Sequence, residues 1–280
     1  MLDIFFSIFV FIFGLIVGSF LNCLVYRLEQ NKTKSLLKGR SFCPKCKHQL
    51  KFRDLIPVFS FLFLRGKCRY CSKKISWQYP AIEVATGLTF FLIFNFQFSI
   101  FNQFSIYQFL NFLCLLGAFS CLIVIFVYDL KHYIIPDKIL LPFAVLIVLS
   151  RAFEYFFNVI LLKRDLGMSA SSLHWHWVFA LATLAFFFLI WFFSKGKAMG
   201  FGDVKLIFPL TLMLGWPLGA VGLFIAFLSG SVVGIVLMIA GINKISSQVP
   251  FGPFLIGGAF IAFLWGNTLW LWYLKLIFNS

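Results

Sequence analysis

The sequence predicts an all-α polytopic membrane protein of about eight transmembrane helices with a small cytoplasmic zinc-ribbon-like loop domain. Three observations predict it. Of the 280 residues, 61% are hydrophobic and only 12% charged, with a mean hydropathy of +0.97, whereas a soluble domain carries about a quarter of charged residues. The apolar residues gather in charge-free runs at 4–26, 84–128, 206–243 and 253–274, and a helix of about 20 such residues crosses a bilayer. Between the first two runs lies a basic segment with four cysteines in two C-x-x-C pairs.

The elements follow in order. Residues 4–26 form a first span; Asp3 and the length of the run through Tyr26 point to a retained helix, not a cleaved leader. Residues 84–128 are too long for one helix and suit two, turning near Asn95–Ser105, where Asn102, Gln103 and Ser105 cluster. A fourth span fits 138–160, with Arg151 and Glu154 three apart on one helical face. A short loop holds Lys163, Arg164 and Asp165, and the fifth span ends near Lys195. Residues 206–243 accommodate two helices turning at Trp216-Pro217, and an eighth span covers 253–274.

The net charge of +15 is unevenly spread: 14 of the 24 Lys and Arg lie between Arg27 and Lys74, Lys32, Lys34 and Lys38 among them. Between membrane spans the positive-inside rule accounts for such a block, which would face the cytoplasm and touch anionic lipid headgroups, with no nucleic acid involved. With the N-terminus outside, that loop, Asp129–Lys138, Lys195–Lys205 and Lys244 all fall on the cytoplasmic side. The expected division is therefore 1–26 as first helix, 27–80 as basic loop, and 81–280 as a membrane-embedded core of about seven helices.

Cys43, Cys46, Cys68 and Cys71 form two knuckles separated by 21 residues, just outside the usual zinc-ribbon spacing. Four thiolates from two such turns close a tetrahedron around Zn²⁺ and leave no open position, so the metal would be structural. Disulfides are the other chemistry for these residues, disfavoured in a reducing compartment. His48 is a polar loop residue that could replace a ligand, while Cys23, Cys114 and Cys121 read as small apolar residues in spans.

Carboxylates beside membrane spans are rare and are functional candidates. Asp129 ends the third span, and Asp203 follows Gly200 and Gly202 immediately before the sixth. Two such groups brought together share a proton, so one can activate water while the other protonates a carbonyl oxygen. The two glycines would let a substrate backbone come close. Residue types alone also allow both to be helix caps or interfacial anchors. Asp137 is the rival acid, better read as capping the fourth helix. Glu83 fits either a functional group or an anchor, and the His174-Trp175-His176-Trp177 stretch fits an interfacial aromatic belt.

Several motifs, in order along the chain, resemble the type IV prepilin peptidase family, the leader peptidases and N-methyltransferases. Gly18-Ser19-Phe20-Leu21-Asn22 with Tyr26-Arg27 is similar to that family's first-helix pattern. The cysteine loop, with Ile56-Pro57 and Arg65-Gly66-Lys67, and then Tyr79-Pro80, Glu83 and Thr86-Gly87, resembles its next blocks. Asp129 with Ile135-Pro136-Asp137, Gly200-Phe201-Gly202-Asp203-Val204-Lys205, and Pro250-Phe251-Gly252-Pro253-Phe254 resemble the rest, the second being the G-x-G-D pattern of intramembrane aspartic proteases. Phe52, Gln78 and Cys23 are small departures. The resemblance implies a membrane aspartic endopeptidase with Asp129 and Asp203 as catalytic acids. It would cleave the short basic leader of prepilin or pseudopilin precursors, for pilus assembly or secretion, at the cytoplasmic face of a bacterial inner membrane. It further implies S-adenosylmethionine-dependent methylation of the new N-terminus, although no glycine-rich dinucleotide fingerprint follows a strand here. The Cys loop and Glu83 are the candidates for that cofactor. A non-catalytic zinc-containing membrane scaffold is the alternative, and it leaves Asp203 in its glycine setting unexplained.

Overall fold

Charge-free apolar runs leave helix as the only backbone that satisfies its own hydrogen bonds in lipid, and among the described residues these runs are helical. The computed structural model describes residues 2–30, 39–100, 106–156, 169–241 and 250–278. Lys32, Lys34, Lys38, Asn102, Gln103, Ser105, Lys163, Arg164, Asp165 and Lys244 lie outside the described residues.

The helices are α1 (Leu2–Glu29), α2 (Phe59–Phe63), α3 (Gln78–Ile100), α4 (Ile106–His132), α5 (Asp137–Tyr155), α6 (Ser169–Ser194), α7 (Phe201–Leu214), α8 (Leu218–Ile239) and α9 (Gly252–Phe278). Six of them, α1, α3, α4, α6, α8 and α9, are long and apolar enough to cross a membrane. The only pairings between extended segments among the described residues are two isolated bridges in the cysteine loop. The eight expected spans thus correspond to every helix except the short α2. The sixth departs from expectation: α7 has 14 residues, about 21 Å of helix at 1.5 Å per residue, short of a hydrocarbon core of about 30 Å. Gly215, at φ +70°, and the Trp216-Pro217 pair end it inside an unbroken apolar run.

The chain divides into two compact units, Met1–Phe104 and Ser105–Ser280. In the first, α1 lies along α3. A side chain at Gly14 would come within 2.8 Å of the Gly87 Cα, and one at Gly18 within 2.7 Å of the Glu83 Cα. Glycine is therefore required for this backbone approach. Asn22 fixes the register by donating to the Tyr79 carbonyl at 3.0 Å. In the second unit α4 packs on α5 and α9, α6 on α7, and α8 on α9, while α7 also touches α5, α8 and α9. Arg151 on α5 pairs with Glu154 at 2.5 Å as its spacing predicts. It also donates to the Leu212 and Met213 carbonyls, capping the end of α7.

Candidate active site and cysteine cluster

In the second unit the two sequence-selected acids reach one place from different helices. Asp129 sits in the last turn of α4. The helix stops there because Tyr133, its amide bonded to the Asp129 carbonyl at 2.9 Å, turns to φ +58°. Pro136 then sets the start of α5. Asp203 lies in the first turn of α7, three residues after Gly200, whose carbonyl accepts from the Asp203 amide at 3.2 Å. The Gly200 amide is directed at the Asp203 carboxylate, in the manner of half a capping box.

Both acids line one open cavity of about 680 Å³, together with Tyr133, Asp137, Gly202, Lys205 and Phe251. Asp129 is 3% exposed and its Oδ2 is buried without a hydrogen-bond partner of normal geometry, while Asp203 is half-buried and faces the cavity. A buried, under-bonded carboxylate beside a second one is costly in a merely structural role.

Two details add to the reading of the sequence. Gly202 lines the cavity, and a side chain there would stand 3.1 Å from the Cβ of Ile135, so the glycine also serves the approach of α7 to the segment before α5. Asp137 stands at the start of α5, after Pro136 in the cap position, and its two carboxylate oxygens accept from Lys205 Nζ at 2.9 and 3.1 Å. Lys205 also lies 4.9 Å from the centre of the Phe201 ring.

In the first unit the four cysteines come together. The Sγ atoms of Cys43, Cys46, Cys68 and Cys71 all lie within 4.8 Å of one another. Four ligands around zinc at about 2.3 Å stand about 3.8 Å apart, so this set fits the ion with a small contraction. The two knuckles are built alike. The amide of Cys43 donates to the His48 carbonyl and that of Cys68 to the Lys73 carbonyl, both at 2.9 Å. Phe42 bridges to Gln49 and Lys67 to Lys74. Each turn closes on a residue of positive φ, Lys47 at 58° and Ser72 at 55°. Burial works to raise the Cys43 thiol, but the amides of Cys46 and Lys45 and the neighbouring thiols bring it down to about 7. His48 is not a ligand; its ring packs on Tyr70 at 3.7 Å between centres.

The second knuckle is tied to the rest of the loop through Asp54. That carboxylate accepts from Arg69 at 2.7 Å, Tyr70 at 3.0 Å and the Lys51 amide at 3.1 Å. Burial opposes its charge, yet these donors together hold Asp54 below its ordinary value. Glu83 is also explained locally. It is 7% exposed and its Oε2 accepts from the Val58 amide at 2.7 Å. Val58 stands at φ +61°, ψ −51°, with the Phe59 amide reaching the Pro57 carbonyl at 2.6 Å. That is a γ-turn of the strained hand.

Residues 12–97 match the family described as the bacterial peptidase A24 N-terminal domain, and residues 114–235 match the type IV leader peptidase family. A prepilin leader peptidase/N-methyltransferase of Stutzerimonas stutzeri is 30% identical, over 94% of this chain and 92% of its own. The chain belongs to the type IV leader peptidase family. A protein of the same description from Bacillus subtilis is 30% identical over 95% of this chain and 97% of its own. One from Aeromonas salmonicida is 29% identical over 96% and 94%. No solved structure gives a significant match.

Membership makes this chain a peptidase, and the name of its relatives raises the question of the methyl donor. Glu83 is buried and already bonded to Val58. An open cavity of about 580 Å³ at the foot of α1 is lined by Tyr26, Gln30, Arg40, Phe42, Pro44, Lys47 and Gln49. Sequence reasoning also gave no chemical role to Tyr133, Lys197, Lys205 or Phe251, which line the cavity with the two acids. The family-like Pro250-Phe251-Gly252-Pro253 run was the signal for the last of them.

Proposed function

We propose that this chain is an aspartic endopeptidase of the bacterial inner membrane that removes the short basic leader from prepilin-like precursors, with Asp129 and Asp203 as its catalytic acids. One observation carries the reading: the two acids, 74 positions apart in sequence, line a single cavity. The substrate class follows from the description of the relatives at about 30% identity over nearly their whole length. In the first step the ionised carboxylate takes a proton from water as the oxygen attacks the scissile carbonyl. The protonated partner gives its proton to the carbonyl oxygen, so the tetrahedral intermediate is neutral. Its collapse returns a proton to the leaving amine and restores the pair.

The same reading places zinc on Cys43, Cys46, Cys68 and Cys71 as a structural ion that fastens residues 27–80 into one loop domain, with 81–280 as the peptidase core. The N-terminus lies outside and the basic loop faces the cytoplasm, where its lysines meet anionic lipid. The relatives' description also names an N-methyltransferase, and the same reading gives this chain S-adenosylmethionine as the methyl donor for the new N-terminus.

Purified protein incubated with a pilin precursor tests this directly. Release of the leader by the wild type, and its loss in Asp129→Asn and Asp203→Asn, is the expected result. A zinc-loaded wild type that binds the precursor and never cleaves it would favour the scaffold reading.

A further inference from the structure

The start of α9 accounts for its own amides in an unusual way. Phe254 and Leu255 both donate to the Phe251 carbonyl, at 3.0 and 3.1 Å. Pro253 has no amide hydrogen. Of the first four residues of the helix, Gly252 alone has an amide not used within the turn, and it faces the Asp129 carboxylate without a hydrogen bond of normal geometry. The positive end of a helix is a favourable place for such a group. Gly252 is itself buried, and a Cβ built on it would stand 2.5 Å from Asp129 Oδ2 and 3.3 Å from its Cγ. The next nearest atom, in Ile135, is at an ordinary 3.5 Å. The glycine is thus needed on account of one side chain, and that side chain is an acid of the cavity.

We propose that Gly252 is a positioning residue for Asp129: its bare α-carbon lets the carboxylate lie over the first turn of α9, and so sets the direction in which the group faces the cavity. This rests on the reading of Asp129 as a reacting acid. With any side chain at position 252 the buried carboxylate must swing away, because backbone on the other side of the contact has less freedom than two side-chain torsions. The displaced acid then meets water and the scissile carbonyl from the wrong place, while the substrate-binding walls stay as they were.

Gly257, on the same helix, supplies the control, since a Cβ there meets nothing within 4 Å. Cleavage of a pilin precursor by Gly252→Ala is expected to show kcat down by about 10²-fold, the scale of an ångström of misplacement. KM should stay within about threefold, because ground-state binding is not touched. Gly257→Ala should match the wild type. A Gly252→Ala enzyme with kcat within about threefold of the wild type would overturn the proposal. A fall in kcat matched by an equal rise in KM would do the same. Should Gly252→Ala not fold, the melting of Asp129→Ala is compared with that of Asp129→Ala/Gly252→Ala. Equal melting temperatures support the contact, and a double variant that also fails to fold overturns it. Full cleavage by Asp129→Asn is a separate outcome: it removes the reading of Asp129 as a catalytic acid, whatever position 252 does.

Discussion

Lys205 Nζ holds both carboxylate oxygens of Asp137, at 2.9 and 3.1 Å, joining the first turns of α7 and α5 beside the cavity. That pairing separates Asp137 from its two neighbours in chemistry. Asp137 is engaged at both oxygens by an ammonium, whereas Asp129 has a buried oxygen without a hydrogen-bond partner of normal geometry.

The first prediction follows from this contrast. Asp129→Asn and Asp203→Asn each keep size and remove the acid, and each should lower cleavage of a pilin precursor by several orders of magnitude. The double variant should lose little more than either single one, since the two act as a unit. Asp137→Asn should retain cleavage within about tenfold, because an exposed pair is worth only about 0–1 kcal/mol. Near-normal cleavage by Asp129→Asn together with a dead Asp137→Asn would exchange their roles.

A second prediction concerns acid. Asp54 is held below its ordinary value by its donors, so the loop is stabilised at pH values above that ordinary value. The stability is lost as pH falls through the lower, folded value. Asp54→Asn should therefore weaken the second knuckle at neutral pH, with zinc retention down about tenfold to a hundredfold as for other groups supporting metal ligands. Its difference from the wild type should shrink below about pH 4. Zinc release followed with a chromophoric chelator reads both effects. An unchanged difference at pH 3 would remove Asp54 from the account.

A third prediction isolates Glu83. Glu83→Ala strands the Val58 amide beneath a strained turn and should cost about 1–3 kcal/mol in the first unit. Glu83→Gln keeps an acceptor in place and should recover most of it. Thermal unfolding in detergent compares the two, and equal losses would mean that the charge, and not the acceptor, is what matters.

Much of this arrangement was legible in the sequence, for stated reasons. Charge-free runs mark the spans because lipid admits no unpaired charge cheaply. The cysteine spacing marks the knuckles because only certain turns converge four sulfurs. The turn at Trp216-Pro217 was visible, but the shortness of α7 was not: Gly215 ends the helix without any charge to announce it. The closeness of Ile135 to Gly202 was not legible either, because a glycine shows only that something comes close and not what. Asp137 looked like a cap because residue type and position suited one; its actual partner, Lys205, is 68 residues away. Long-range pairs of this kind are fixed by packing, which one sequence does not display.

The last prediction tests the mechanism against the metal. A two-carboxylate site works only in the singly protonated state, so cleavage should fall on both sides of a pH optimum, with apparent values that belong to the pair. Serine-directed reagents have no target in the cavity among its described lining residues. Thiol reagents and chelators reach the cysteine cluster, which the proposal places outside the chemical step. Their effect should therefore be slow, following loss of loop structure as zinc leaves, because metal binding and local folding are coupled. Replacing Cys43, Cys46, Cys68 and Cys71 together by serine provides the separation. If that variant inserts and cleaves, even weakly, its residual activity should be indifferent to both reagents and keep the bell-shaped pH profile. Immediate arrest of the intact enzyme by a chelator, reversed by zinc alone and faster than any change in loop structure, would put the metal in the reaction. Asp129 and Asp203 would then have to be reassigned as groups that serve it.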